Sequence, residues 1–394
     1  MRIFDQSVSA EELRRYQLHM LNRQLEYAAS SSPFYNEHLK GLELPLESLD
    51  ALSELPFMDA GDIAAKGFAL SCLPQRDIRR IVTLKTSGTT GERKRIFFTA
   101  GDIERTVDFF SVGMRYMCGA GDSVAVFMPG ATSDGIGDQL RRALERFGAQ
   151  PHIYGAVSDV QDAISFLRRI KPHTIVGIPS QMRALALAAT ELRPVNVLLS
   201  ADYVPLSVKD SIARLWHTDC FEHYGMTETC FGFAVDCPHH RGMHIRHDEF
   251  ITEIVDENSA PLPPGQWGQI VITSLRRQAM PIIRYKTGDW GRLVTQPCPC
   301  GSKLPRLDHV RGRISALRSP VNIHALDEIL LGVDGVQDYT ARFESGRLTV
   351  YICAEADIHP YIKKLLGDEF PHVDISVESG EPFRTTGTLK RRLE

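Results

Sequence analysis

Apolar residues recur along this chain in two alternating textures. Leu13, Tyr16, Met20 and Leu21 fall at helical spacing behind Ser9 and Glu12, which stand three apart as a capping box, so a helix opens the chain. From about 80 to 230, short apolar runs alternate with one-sided amphipathic stretches. Residues 124–128 predict a strand, and 138–147 a helix carrying Leu140, Leu144 and Phe147 on one face. Then follow a strand at 174–178, a helix at 180–192 and a strand at 196–199. This alternation predicts an α/β fold with helices covering parallel sheets. Ligands in such sheets sit beyond the carboxyl ends of the strands, where 130–137, 200–203 and 224–228 fall.

From about 250 to 312 the pattern becomes β-rich, with strands at 251–255 and 269–273 flanking a Pro/Gly turn at 261–265. Beyond Arg313 the periods read helix (324–331), strand (336–343), turn, strand (347–353), helix (360–368) and strand (373–377). The expectation is a large N-terminal domain at 1–312, with a β-rich subdomain at about 235–312. A small C-terminal α+β domain at 313–394 completes it.

The most informative loop is Thr86-Ser87-Gly88-Thr89-Thr90-Gly91-Glu92-Arg93-Lys94. Its glycines let backbone N–H groups approach an anion closely, and hydroxyls with a lysine can wrap a pyrophosphate. It is not a Walker loop, which needs four residues between its glycines, a Lys-Ser/Thr pair and a helix directly after. Here strand-like segments at 81–84 and 96–99 flank it instead.

Further motifs follow in order: Tyr224-Gly225-Met226-Thr227-Glu228, Tyr285-Lys286-Thr287-Gly288-Asp289, Arg311-Gly312-Arg313, and a basic Thr-Gly-Thr-Leu-Lys-Arg-Arg run at 386–392. Each alone is an ordinary turn signal. Together they resemble the adenylate-forming superfamily of acyl-CoA synthetases, adenylation domains and luciferases. The phenylacetate–coenzyme A ligase-like branch looks closest, through Tyr27-Ala28, Ser32-Pro33-Phe34-Tyr35, Leu55-Pro56-Phe57 and Cys298-Pro299-Cys300-Gly301.

The resemblance implies an enzyme that activates a carboxylic acid with ATP, expels pyrophosphate, and passes the acyl group to a thiol. Joining two anions needs cations and donors where charge develops. Thr86, Ser87, Gly88, Thr89, Thr90, Gly91 and Lys94 would hold the phosphates, and Glu228 would hold Mg²⁺ as a hard oxygen ligand. Tyr224, with Gly225 and Thr227, would lie along adenine, and Ser200, Ala201 and Asp202 would meet its edge. Asp289 would accept two hydrogen bonds from the ribose diol. Arg313 would reach ribose or phosphate at the junction with a mobile C-terminal lid.

Two departures stand out. Ile314-Ser315-Ala316 lacks the acidic residue or lysine usual after that arginine. Thr388 follows Gly387 where the family places a lysine, so Lys390, roughly 7 Å further along an extended chain, becomes the candidate catalytic lysine. These departures feed a rival reading, an inactive nucleotide-binding descendant.

Cys237, His244, Cys298 and Cys300 form a second constellation. Three thiolates and an imidazole would complete a closed tetrahedral structural zinc site, an arrangement the same branch resembles. Cys230, His239 and His240 are spare neighbours. Eight cysteines in a chain without a signal-peptide pattern read as thiols or metal ligands rather than disulfides.

At 394 residues, 43% apolar, 24% charged and net −4, the composition is globular and offers no nucleic-acid surface. With no membrane-length apolar run, a cytoplasmic protein is expected. Coenzyme A is the expected acceptor, with a carrier-protein phosphopantetheine or an amine as the alternative. Phe231 and Phe233 favour an aryl or arylacetic acid, and a homodimer is the state the branch suggests.

Overall fold

The computed structural model describes residues 8–85, 93–354, 356–380 and 393. The chain forms two compact units, one from Met1–Tyr116 with His223–Val310, the other from Met117–Glu222 with Arg311–Glu394.

The first unit begins with the helix Ala10–Ser31, and the capping box is present: Glu12 Oε2 accepts from the Ser9 N–H at 2.8 Å. Leu21 and Leu25 on its buried face join Tyr35, Phe97, Phe98, Phe250, Ile272 and Tyr285 in one core. The strands Arg80–Lys85 and Arg93–Phe98 pair antiparallel, so the segment carrying the phosphate-loop motif joins two strands. Phe250–Val255, Gly268–Ser274 and Tyr285–Gly291 build a three-stranded antiparallel sheet. Leu293–Val294 and Arg306–Leu307 are further short strands in the stretch expected to be β-rich from 250 onward, and Ala234–Val235 and Met243–Ile245 precede it.

In the second unit, Gln150–Ile153, Ser123–Val126, Thr174–Gly177, Asn196–Leu199 and residues 219–222 of the strand Asp219–Tyr224 lie side by side in that order and all run parallel. The helices Ile136–Glu145, Val160–Ile170, Pro179–Ala188 and Leu206–Trp216 alternate with them, as the pattern predicts. The third of these stops earlier than its apolar period. Ala189 leaves helical geometry, and its carbonyl accepts the Trp216 indole N–H at 3.0 Å.

The C-terminal segment supplies the strands Asp338–Glu344, Arg347–Cys353 and Asp374–Ser379, with helices Ile323–Leu330 and His359–Glu369. Leu326, Leu330, Val350, Ile352 and Leu366 share one apolar core with Met182, Val197 and Trp216. Glu328 holds the start of the helix Leu206–Trp216: its carboxylate accepts the N–H groups of Leu206 and Ser207 at 2.7 and 2.9 Å, and the Tyr203 hydroxyl at 2.8 Å. Two orphan helix donors are satisfied by one side chain from far along the sequence. Among the described residues no helix is long and apolar enough to cross a membrane.

Candidate active site

Lys94 and Glu228 meet in the first unit. Lys94 is the second residue of Arg93–Phe98, and Glu228 sits in a single 3₁₀ turn, Thr227–Thr229, that directly follows Tyr224-Gly225-Met226. The Lys94 ammonium donates to Glu228 Oε1, and their side chains are only 14% and 5% exposed. Tyr285 donates its hydroxyl to the same oxygen at 2.7 Å. Both donors fall on Oε1, so Oε2 receives neither.

Burial alone pushes the Glu228 carboxyl up. The Lys94 charge, with hydrogen bonds from Lys94 and Tyr285, outweighs that and leaves it below its ordinary value. The carboxylate is therefore ionised at neutral pH, the form a hard cation requires.

The second half of the motif pair is braced in the same way. Tyr224 donates its hydroxyl to Asp289 Oδ2 at 2.6 Å. Within Tyr285–Gly291 burial alternates, with Tyr285, Thr287 and Asp289 buried on one side. Thr287 fixes the register: its hydroxyl donates to the Ile270 carbonyl at 2.8 Å and accepts the Asp289 N–H at 3.0 Å. The strand is anchored at its start by Arg284, which pairs with Glu253 at 2.9 Å, donates to the carbonyls of Ser53 and Leu55, and stacks on Phe57. Two motifs about sixty residues apart in sequence are thus cross-linked twice by tyrosines.

Gly225 is required by close approach rather than by dihedral angle. A Cβ there would lie 2.1 Å from the Phe231 carbonyl oxygen. Only a glycine lets the chain leave Tyr224 and turn Glu228 toward Lys94.

Two side chains of this neighbourhood are not among the candidate site residues. Tyr285 lies inside a quoted motif, but its contact with Glu228 is a tertiary fact. Arg277, 4% exposed, donates to the Glu228 main-chain carbonyl, with its guanidinium 4.9 Å over the Phe98 ring. Its only signal in sequence is that it follows an apolar strand whose next residues turn back.

Ser200, Ala201, Asp202 and Arg313 belong to the second unit. Ser200 follows Asn196–Leu199, with its N–H on the Gly177 carbonyl at 3.0 Å, and Ala201 takes a left-handed φ of 71°. Arg313 is the N-cap of the short helix Ile314–Leu317 and is exposed. Thr86, Ser87, Gly88, Thr89, Thr90, Gly91 and Lys390 lie outside the described residues.

The four metal-ligand candidates also come together. Their ligand atoms lie within 4.8 Å of one another, with Cys237 Sγ 3.6 Å from Cys298 Sγ and Cys300 Sγ 3.6 Å from His244 Nε2. A tetrahedron with 2.3 Å zinc–sulfur arms has edges of about 3.8 Å, so the set fits that ion. His244 projects from Met243–Ile245, whose neighbour in the sheet is Arg306–Leu307. Cys298 and Cys300 sit on a tight turn closed by Gly301 N–H to the Cys298 carbonyl at 2.8 Å. Burial, more than the nearby Arg306 and His247, lowers His244 to about 3, so its imidazole is neutral, the form that ligates a metal. Cys230, His239 and His240 lie outside this cluster, and all eight cysteines are free thiols.

Residues 79–279 match the family described as AMP-binding enzyme, slightly more than half of the chain. The chain belongs to the AMP-binding enzyme family. Among curated proteins it is similar to the phenylacetate–coenzyme A ligase of Thermus thermophilus, 25% identical over 398 residues, covering 96% of this chain and 84% of that one. The Pseudomonas putida phenylacetate–coenzyme A ligase is 26% identical over 413 residues, covering 99% and 89%. These relatives put this AMP-binding enzyme in the phenylacetate–coenzyme A ligase-like branch of the adenylate-forming superfamily. A solved 2-hydroxyisobutyryl-CoA ligase in its postadenylation state, bound to an acyl-AMP, shares the fold at a TM-score of 0.85 and 22% identity, covering 99% of this chain and 90% of that one.

Proposed function

We propose that this AMP-binding enzyme uses ATP to convert a carboxylic acid to its acyl-adenylate, releasing pyrophosphate, and then forms a thioester with coenzyme A. One observation carries the reading. Two tyrosines tie the motif at 224–228 to the motif at 285–289, holding one carboxylate against Lys94 and another against a phenol. Asp289 is already matched to a hydroxyl donor of the kind a ribose presents, and Glu228 to a cation of the kind that accompanies a triphosphate.

On this reading Lys94 leaves Glu228 for the phosphates, neutralising charge as it develops on the leaving pyrophosphate. Glu228, ionised and with Oε2 free of both donors, would hold Mg²⁺, which supplies charge neutralisation on the phosphate oxygens when bound. Asp289 exchanges the Tyr224 hydroxyl for ribose hydroxyls, and the Tyr224 ring is released toward the base. Thr86–Gly91 and Lys390 belong to the same proposal, as do Ser200–Asp202, Arg313, and a lid formed by 313–394. The zinc set is proposed as structural, with no open position and no part in acyl activation. Phe231 and Phe233, close to Glu228 in sequence, support an aryl or arylacetic acid.

Pyrophosphate release from ATP and Mg²⁺ across a panel of carboxylic acids, run with and without coenzyme A, tests this. An aryl acid is expected to score, with Glu228→Ala and Asp289→Ala each losing most of the signal. Full activity in both variants would sink the assignment. Pyrophosphate release with no coenzyme A thioester formed would move the acceptor to a carrier-protein thiol or an amine.

A further inference from the structure

An open cavity of about 840 Å³ lies in the first unit, lined by residues between 16 and 27 of Ala10–Ser31, the start of Ala100–Met114 and residues 275–278. Arg23, Arg105, Arg276 and Arg277 line it, against a single lining carboxylate, Asp77. Tyr16, Tyr27, Met20 and Leu73 give it an aromatic and apolar wall.

The charges around it are unevenly matched. Glu249 is shared by three guanidiniums, Arg105 at 3.1 Å, Arg276 at 3.3 Å and Arg246 at 3.8 Å. Arg105 has Asp102 as well, at 2.6 Å. Arg23 is exposed and has no ion-pair partner among the described residues, and Arg277 is held by a carbonyl and a ring rather than a carboxylate, with its Nε buried and without an acceptor. Guanidiniums from three separate segments, short of anions and beside two tyrosines, suit a dianionic head on a flat body. Arginine forks match phosphate oxygens, and a cavity of this volume accepts a small organic molecule.

We propose that this pocket binds an aryl phosphate monoester, with Arg23 and Arg276 on the phosphate and Tyr16 and Tyr27 against the ring. The pocket shares one residue with the candidate active site, Arg277, which donates to the Glu228 carbonyl; the phosphate is placed on Arg23 and Arg276, which pair with none of Lys94, Glu228 and Asp289.

Calorimetric titration of the full chain with phenyl phosphate tests it. The expected result is saturable binding of one ligand per chain, weakened at least about tenfold in Arg23→Gln/Arg276→Gln, a loss of about one ion pair. Inorganic phosphate should bind about tenfold more weakly than phenyl phosphate because it lacks the ring. Lys94→Ala, which damages the nucleotide clasp, should leave the affinity unchanged. The proposal is overturned by no saturable binding, by an unaltered affinity in the arginine variant, by equal affinity for inorganic phosphate, or by loss in Lys94→Ala alone. Because the two glutamines replace exposed or half-exposed side chains, the variant should fold, and an unchanged melting midpoint verifies that.

Discussion

Removing Lys94 should reveal that the cation proposed for the phosphates also holds the first unit together. In Lys94→Ala, Glu228 stays 95% hidden from solvent by side-chain exposure and loses the charge that keeps it ionised at low cost. Breaking a buried pair on one side only costs about 3–5 kcal/mol, because the remaining charge is uncompensated. For a unit of this size that is a fall on the order of 10 °C in melting midpoint. Lys94→Met/Glu228→Gln, which removes both charges, should recover most of that loss, so the doubly altered enzyme is the more stable of the two.

The pH dependence has a definite sign. In the parent, Glu228 is held below its ordinary 4.5, so its contribution is present above that value and is lost only as pH falls through the lowered one. In Lys94→Ala burial dominates and raises the carboxyl. The variant is then least stable at high pH and regains stability, relative to the parent, as pH is lowered from 8 toward 5. Thermal melts of parent, single and double variants over that range measure all of this. A single variant within about 1 kcal/mol of the parent, with a parallel pH profile, would refute the buried-pair argument.

Two other perturbations address separate parts of the first unit. Elemental analysis of the purified chain should find about one zinc per chain, absent from Cys298→Ser/Cys300→Ser, with the variant melting several degrees lower; a stable, metal-free native protein would end the zinc assignment. Gly225→Ala should lose most pyrophosphate release and several kcal/mol of stability, since the added methyl would overlap the Phe231 carbonyl and the clash is with backbone; an active, equally stable variant would show that the turn at 224–228 yields easily.

The alternation of apolar runs and amphipathic stretches is enough to anticipate three of the five parallel strands, those at 123–126, 174–177 and 196–199, because each is a short, almost wholly buried run; Gln150–Ile153, with no buried residue, and Asp219–Tyr224 are not among the predicted strands. Motif order likewise grouped Lys94, Glu228, Tyr224 and Asp289, and the fold pairs Lys94 with Glu228 and Tyr224 with Asp289. Sequence could not supply the cross-links. Tyr285 reads as one more buried aromatic until the fold brings its hydroxyl to Glu228, and Arg277 reads as a loop arginine until the turn after Ser274 buries it. Helix ends were also imperfectly legible. The stop at Ala188 depends on Trp216, which captures the Ala189 carbonyl from another element. Tertiary partners, not local propensity, decided these details.

Glu328 has a role that reaches beyond its own helix. By closing the exposed start of Leu206–Trp216 and tethering Tyr203, it makes the helix Ile323–Leu330 a structural stopper for a helix laid down more than a hundred positions earlier. Arg183 fastens the same region through the carbonyls of Val336 and Gln337, both at 2.7 Å. Any swing of that tail away from the parallel sheet must uncork two amides, strand a phenol and leave a nearly buried guanidinium without acceptors. The docked arrangement is therefore a latched position, and departure from it needs a substitute set of partners or an entering ligand to compensate.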